Sequence, residues 1–114
     1  MNRIMTLAAA IILSIAASAE DFSLYYTTAT AQKNEMEPIM VNLEPGGQTY
    51  PDNPHEGEEF GYVLEGQVTI VIGNTNHVAK KGESFHIKPE KPHYLINSGK
   101  RPAKVMWISS PPSF

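Results

Sequence analysis

The stretch of residues 47–66, GQTYPDNPHEGEEFGYVLEG, constrains the fold of this chain more than any other segment. Its two prolines favour an extended backbone, because proline fixes φ and pushes the preceding residue toward β or polyproline II geometry. Residues 60–64 then predict a strand, and a Glu-Gly turn leads into the β-branched run of residues 68–72. His55 and Glu59 therefore lie at the mouth of a predicted β-hairpin, where their side chains can converge.

The rest of the chain has the same character. Turn signals rich in glycine, proline and asparagine recur about every 8–12 residues, and no convincing helical period follows the N-terminal segment. This pattern predicts an all-β domain, either a small barrel or a jelly roll. The predicted strands cover residues 25–28, 36–44, 60–64, 68–72, 77–79, 83–88, 93–97 and 103–109.

Composition excludes several functions. The chain has 114 residues, which is enough for one small domain with one core. The formal charge of −3 argues against a protein that binds nucleic acid by itself, since such a protein usually carries a basic surface. The chain contains no cysteine, so it has no disulfide, no thiolate metal site and no catalytic thiol.

The N-terminal segment predicts export. Residues 1–19 contain one arginine, an apolar run and a closing Ala-Ser-Ala, as in a secretory signal peptide. Cleavage there predicts a periplasmic or secreted protein with no membrane segment. The alternative is a helix left from a longer cytoplasmic regulator whose start lies upstream. Residues 20–35 are then an N-terminal arm or edge strand, and residues 36–114 form the β-domain.

Two motifs resemble those of a known family. His55-x3-Glu59-x6-Gly66 resembles the second half of the first cupin motif, in which one further histidine precedes the pair. Asn53 stands where that histidine is expected. The sequence is identified as a member of the cupin superfamily of type 2, RmlC-like proteins, which implies a double-stranded β-helix, or jelly-roll barrel.

The second motif lies downstream. Gly82, the run IKPEKPH at residues 87–93 and Asn97 resemble the second cupin motif, although Lys88 and Glu90 replace its usual proline and glycine. The two motifs together cover roughly residues 36–109. More narrowly, HEGEEFGYVLEG and VMWISSPPSF resemble the C-terminal cupin sensor domain of XRE-type helix-turn-helix regulators.

The resemblance implies that Glu59 and His93 point into the barrel. Strand alternation then turns Gly61 and Val63 inward, and it turns Phe60, Tyr62 and Leu64 outward. By the same rule Leu95 and Asn97 follow His93 inward, while Tyr94 and Ile96 face out. The residues expected to line a ligand pocket are Tyr50, Val63, Leu95 and Asn97.

The inward side chains suggest a metal centre. Two imidazoles and one carboxylate, from His55, Glu59 and His93, suit Fe(II), and Mn, Ni or Zn are chemically admissible. Asn53 can add a weak amide ligand. The alternative is a hydrogen-bonded His-Glu pair that orders the loop without metal. His77 and His86 lie outside both motifs and are expected at the surface.

Other side chains receive simpler interpretations. Met106 and Trp107 are expected in the core or in an interface. The basic residues all fall in or beside turns, which indicates dispersed surface charge and no phosphate-binding cluster. These basic residues are Lys80, Lys81, Lys88, Lys91, Lys100 and Arg101.

Three functions fit these observations. The first is a free-standing cupin domain that binds a small molecule, either through the metal or directly. A further alternative of this kind is the truncated sensor domain of a transcription regulator. The second is a metal-dependent oxygenase or isomerase of a small polar metabolite, with Tyr50, Tyr62 or Tyr94 near the metal. The third is a structural dimer with a vestigial pocket. The predicted outer row of Phe60, Tyr62 and Leu64 favours a homodimer in each case.

Overall fold

Nine antiparallel strands and no helix make up the part of the chain that the structure describes. The computed structural model describes residues 12–17, 20–26 and 35–114. The all-β prediction is confirmed, and the strands from Glu37 onward have bounds within about two residues of those expected. The strand Glu20–Tyr26 begins before the predicted edge strand of residues 25–28, and the strand Ile12–Ala17 was not predicted. The strands are β1 (Ile12–Ala17), β2 (Glu20–Tyr26), β3 (Glu37–Leu43), β4 (Glu58–Glu65), β5 (Gln67–Ile72), β6 (Thr75–Lys80), β7 (Ser84–Ile87), β8 (His93–Ile96) and β9 (Ala103–Ser110).

The strands form two sheets. The larger has the order β1-β2-β3-β9-β4-β7, and the smaller has the order β6-β5-β8. Consecutive strands β4 and β5 belong to different sheets, so the Glu65-Gly66 turn passes the chain from one layer to the other. This arrangement is a jelly roll.

The core lies between the sheets and follows the predicted alternation. Ile39, Val41 and Leu43 of β3 are at most 1% exposed, and intermediate residues separate them along the strand. Ile70 of β5 and Leu95 of β8 are the buried residues of the smaller sheet that lie opposite each other in the β5–β8 register. Strands such as β3 and β9 thus turn one face to the interior, because successive side chains point to opposite sides of a strand.

The predicted faces of β4 and β8 are confirmed. Glu59, Gly61 and Val63 are buried, whereas Phe60 and Tyr62 are 42% and 39% exposed. His93, Leu95 and Asn97 are likewise buried, while Tyr94 and Ile96 are only partly so. Leu64 differs from the expectation of a regular outer row, because the register with β9 shifts between Val63 and Glu65. Such a bulge breaks strict alternation, and Leu64 is intermediate in exposure.

Only part of the predicted signal peptide is described. Ile12–Ala17 pairs with β2, and β2 in turn pairs with β3. The other residues of segment 1–19 lie outside the described residues, so cleavage and export stay predictions. No helix of the described residues has the length and apolarity needed to cross a bilayer.

Candidate metal centre

A loop between β3 and β4 carries His55 to the barrel. Asp52 forms an isolated bridge with His93: the amide of Asp52 donates to the carbonyl of His93 at 2.8 Å, and the reverse bond measures 3.1 Å. The amide of His55 donates to the carbonyl of Pro89 at 2.9 Å. Residues 52–55 are therefore fixed against the start of β8, as expected for a proline-rich segment that runs extended.

Three side chains meet at one carboxylate oxygen. Oε2 of Glu59 lies 2.7 Å from Nε2 of His55 and 3.0 Å from Nε2 of His93. The three donor atoms all lie within 4.8 Å of one another. The side chains of Glu59 and His93 are fully buried, and that of His55 is 22% exposed. The predicted ligand set is thus brought together at the edge of the interior, with one side open toward solvent.

Hydrogen bonds to the backbone fix both imidazole tautomers. Nδ1 of His55 lies 2.9 Å from the carbonyl of Glu56, and Nδ1 of His93 lies 2.9 Å from the carbonyl of Lys91. A carbonyl can only accept, so each Nδ1 carries a proton and donates it. Each neutral ring then presents the Nε2 lone pair to the carboxylate.

Two lone pairs facing a carboxylate at such short distances require a positive charge between them. That charge is either a proton on Nε2 or a metal ion. Histidine ligands commonly donate their second N–H to a backbone carbonyl, and two imidazoles with one carboxylate suit a divalent ion. The donor set therefore fits a metal.

Trp107 completes the surroundings of the carboxylate. Its Nε1–H donates to Oε1 of Glu59 at 2.9 Å, so each oxygen of the buried carboxylate has a hydrogen-bonding partner. The indole also lies edge-on to His93, with ring centroids 6.5 Å apart, and it packs against Phe114 at 4.9 Å. Trp107 was expected in the core or in an interface and lies in the core, but the sequence did not predict this contact with Glu59. The alternation of β9 turns Trp107 inward, and this was the feature of the sequence that could have indicated the contact, since β9 pairs with β4.

Asp52 is a further acidic group that the motif did not indicate. Its Oδ2 lies 3.7 Å from Nε2 of His93. Burial raises the pKa of Asp52 to about 6, although the nearby histidines lower it and Glu59 raises it further. For His93, burial lowers the pKa, but the hydrogen bonds to Glu59 and to the carbonyl of Lys91 outweigh it, and the net pKa is raised. Without metal, the site therefore retains protons.

Comparison with known proteins agrees with this arrangement. The cupin domain family matches residues 39–109, which is well over half of the chain. The chain belongs to the cupins. The described site residues His55, Glu59 and His93 all fall within the matched segment.

Curated relatives of this cupin include an uncharacterized protein of Methanocaldococcus jannaschii, MJ1618, which is 34% identical over 67 residues. That match covers 59% of this chain and 54% of the relative. The HTH-type transcriptional regulator PuuR of Escherichia coli is 29% identical over 76 residues, covering 67% of this chain and 41% of the regulator. This cupin thus spans about half the length of the curated relatives it matches, or less.

A solved cupin domain has a similar fold. The Cupin_2 domain of an XRE family transcriptional regulator from Enterobacter cloacae superposes with a TM-score of 0.70 at 19% identity. The match covers 81% of this chain and 98% of that domain. The jelly-roll prediction and the resemblance to regulator cupins are both confirmed.

The other predicted residues of the cupin barrel lie in different places. Asn53 is exposed, and Asp52, its neighbour, lies beside His93 instead. Tyr50 is 42% exposed. Val63 and Leu95 are fully buried members of the core. The side chain of Asn97 is buried at the opposite end of β8, where its Nδ2 donates to the carbonyls of Leu43 and Arg101.

A cavity of about 450 Å³ opens between β6 and β7, strands that do not pair with each other. Its inner wall includes Ile72, which pairs in register with His93, and Ile87, which pairs with Glu59. His77 and His86 also line the cavity, and both are exposed. Nε2 of His86 lies 2.6 Å from Oε1 of Glu58, and this hydrogen bond lowers the pKa of the Glu58 carboxyl. The cavity therefore adjoins the strand positions that carry two of the metal ligands.

Proposed function

We propose that this cupin binds a small molecule in its barrel, with a divalent metal held by His55, Glu59 and His93 as part of the binding site. The observation that carries the proposal is the convergence of the two Nε2 atoms on Oε2 of a fully buried carboxylate. Fe, Mn, Ni and Zn all suit this donor set. The bound ion would supply Lewis-acid attraction for an oxygen or nitrogen atom of the ligand.

The size and lining of the β6–β7 cavity support a small ligand. A volume of about 450 Å³ lies within the range of small-molecule pockets. Its wall combines the apolar side chains of Ile70, Ile72, Phe85 and Ile87 with polar ones, and polar surface makes up the larger share. The polar lining residues are His77, Glu83, Ser84 and His86. We therefore infer a ligand that carries both apolar and polar groups, with one polar group that reaches the metal.

The side chains around the metal favour binding over catalysis. Tyr62 and Tyr94, considered above as catalytic groups, belong to the faces of β4 and β8 opposite to Glu59 and His93. Asp52 is the only carboxyl other than Glu59 that forms an ion pair with either of the two inner histidines in residues 35–114. The likeness to the regulator cupins supports an effector-binding role, since those domains belong to transcription regulators by name.

Metal analysis of protein purified without chelator tests the proposal. We expect about one divalent ion per chain, and we expect His93→Ala to lose it, because removal of one ligand from three leaves an incomplete site. Glu59→Gln should weaken binding strongly, since it removes the only charge of the ligand set. The matched controls are His77→Ala and His86→Ala, which remove exposed imidazoles and should retain the ion.

Two outcomes would contradict the proposal. Metal retained by His93→Ala but lost from His86→Ala would place the ion elsewhere. Turnover of a small metabolite by the loaded protein, lost with the metal, would favour the alternative of a metal-dependent oxygenase or isomerase.

We also propose that the outer face of the larger sheet pairs two chains. Phe60 and Tyr62 lie opposite Ile108 and Met106 of β9, so an apolar row continues across two strands. Phe60, Tyr62 and Met36 are among the large apolar residues exposed at this chain's surface. A twofold contact would cover this row from each chain, and every Å² of buried apolar surface contributes about 25 cal/mol.

Sedimentation of the Phe60→Asp variant tests the pairing. We expect the wild-type chain to sediment as a dimer at micromolar concentration and the variant as a monomer with an unchanged metal content. A wild-type monomer at high concentration would refute the proposal.

A further inference from the structure

Four cationic side chains surround one cleft at the end of the barrel opposite to the metal centre. We propose that this cleft, lined by Lys80, Lys81, Lys100 and Arg101, binds a multiply charged oxyanion of the phosphate class, such as a diphosphate or a phosphate ester. This inference does not depend on the proposed metal. The expectation that the basic residues are dispersed is wrong for these four. The pair Lys80 and Lys81 lines the same cleft as the pair Lys100 and Arg101, although 20 positions separate the two pairs in the sequence.

The cleft lies where three turns come together. The cleft has a volume of about 540 Å³ and is lined at the β4–β5 turn by Gly66 and the first residue of β5, Gln67. The last residue of β6, Lys80, lines it together with Lys81 of the β6–β7 turn, and the β8–β9 turn contributes Gly99, Lys100 and Arg101. The concave shape distinguishes this group from lysines that stand singly on a convex surface.

The β6–β7 turn is held rigidly by hydrogen bonds. The amide of Lys80 donates to Oε1 of Glu83 at 2.8 Å, and the amide of Lys81 donates to the carbonyl of Gly66 at 2.9 Å. The amide of Gly82 donates to the carbonyl of Val63 at 2.8 Å. The backbone of the turn is therefore fixed to β4 and to Gly66, and so are the points from which its two lysine side chains extend.

Asn97 holds the β8–β9 turn in the same way. Its fully buried side chain donates to the carbonyl of Arg101 at 2.7 Å and accepts the amide of Gly99 at 2.9 Å. Close packing also joins this turn to the first, because a Cβ on Gly66 would lie 2.5 Å from the carbonyl oxygen of Pro102. Because the backbone of both turns is fixed, binding of a ligand has to order only the side chains, which reduces the entropy lost.

The four cations have no carboxylate partner within 4.0 Å among residues 35–114. The nearest acidic groups in sequence are engaged otherwise: Glu83 accepts the amide of Lys80, and Glu65 lies opposite Lys104 in the β4–β9 register. The whole chain has a net charge of −3, whereas the residues that line this cleft carry four positive charges. Unpaired cations around a concave site attract an anion from solution.

The cleft is separate from the metal centre. Glu59 lies near the start of β4 and Gly66 follows its end, so about 23 Å of extended strand separates them at roughly 3.3 Å per residue. A ligand of the size of a diphosphate cannot contact both. The two sites can therefore be tested independently.

Nuclear magnetic resonance titration of the full chain with inorganic diphosphate, at constant ionic strength, tests the proposal. We expect saturable shifts of the amides of Gly66, Gln67 and Gly99, and no shift at His55. The variant Lys100→Gln/Arg101→Gln should raise the Kd about tenfold, since it removes two of four exposed charges. The matched control Lys88→Gln/Lys91→Gln removes two lysines from the other end of the barrel and should leave the Kd unchanged.

The His93→Ala variant separates this site from the metal. It should bind diphosphate as the wild-type chain does, whether or not the proposed metal site is correct. Loss of diphosphate binding in His93→Ala, equal weakening in the Lys88/Lys91 control, or shifts that do not saturate would each overturn the inference. Tighter binding of a single-stranded oligonucleotide than of diphosphate at the same amides would overturn the assignment to a small anion.

Discussion

Replacing Trp107 with phenylalanine should damage both the stability of the fold and the metal centre. The substitution removes the Nε1–H that donates to Oε1 of Glu59 at 2.9 Å, and the carboxylate is fully buried. A lost hydrogen bond to a charged acceptor costs about 1.5–3 kcal/mol. The smaller ring also leaves space at a position that is 2% exposed, which adds about 1–2 kcal/mol. We therefore expect the free energy of unfolding to fall by about 2.5–5 kcal/mol.

Metal affinity should fall as well, because the indole holds the carboxylate with Oε2 toward the two histidines. Loss of a group that orients a ligand typically weakens metal binding 10–100-fold, so we expect the Kd to rise by about that range. Urea denaturation measures the first effect, and competition with a chromophoric chelator measures the second. In the wild-type chain, fluorescence of Trp107, which is the only tryptophan, gives an independent titration.

Val105→Ala is the matched control. Val105 is fully buried on the same face of β9, two residues before Trp107, and is part of the apolar core. Its truncation should cost about 2 kcal/mol of stability by the same cavity effect, with the metal Kd unchanged. An equal loss of metal affinity in both variants, or none in Trp107→Phe, would show that the indole does not position Glu59.

Four further outcomes are expected. The unfolding free energy of metal-free protein should fall as the pH rises, because raised folded pKa values make Asp52 and His93 bind protons more tightly when folded. The contribution of Asp52 to the free energy of unfolding is complete below pH 3.8 and is lost as the pH rises through about 6. The contribution of His93 is complete below pH 6.5 and is lost as the pH rises through its raised folded pKa. Urea titrations that show a rising free energy of unfolding over this pH interval would contradict this expectation. Metal affinity should rise over the same interval, since the ion displaces the proton of His93, and a Kd that is independent of pH would exclude that competition. Gly61→Ala should destabilise the fold by about 1–3 kcal/mol, because its Cβ would lie 2.0 Å from the ring of Phe85; denaturation should show recovery when Phe85→Leu is added, and no loss would mean that the ring moves freely. Expression in a bacterium should yield periplasmic protein that begins at Glu20, and mass spectrometry of soluble protein with an intact Met1 would refute export.

The sequence predicted the elements that depend on local pattern. The resemblance to the cupin motifs implied that Glu59 and His93 point inward, and strand alternation then placed Phe60 and Tyr62 outside, because one face of each strand must be buried. The motif spacing then identified His55 as the third donor. These predictions needed no knowledge of which strands are neighbours.

Contacts that depend on strand pairing were beyond the sequence. Trp107 and Glu59 are 48 positions apart and meet only because β9 lies beside β4. Asp52, and not the predicted Asn53, lies next to His93, because the backbone of Asp52 forms a bridge with the backbone of His93. The spacing of a sequence motif does not reveal such a bridge. The basic cleft was missed for the same reason, since its four cations come from two turns that only the folded chain brings together.

A comparison of two buried carboxylates indicates that the cluster around Glu59 is not a requirement of the fold. Glu37 is fully buried, and its Oε1 accepts the amides of Ser113 and Phe114 at 3.1 and 2.8 Å, so it stabilises a turn of the backbone. Glu59 accepts no backbone amide among its hydrogen bonds in residues 35–114; its partners are Trp107 and two histidines.

A buried group of this kind contributes little to folding, because replacing buried ionic groups with apolar residues is often neutral or stabilising. The core around Glu59 is otherwise built from valine, isoleucine and leucine, and an apolar side chain at this position would pack there without any need for a proton or an ion. A carboxylate surrounded by two imidazoles at 2.7 and 3.0 Å is instead suited to bind a cation. The polar cluster is therefore best explained by what it binds.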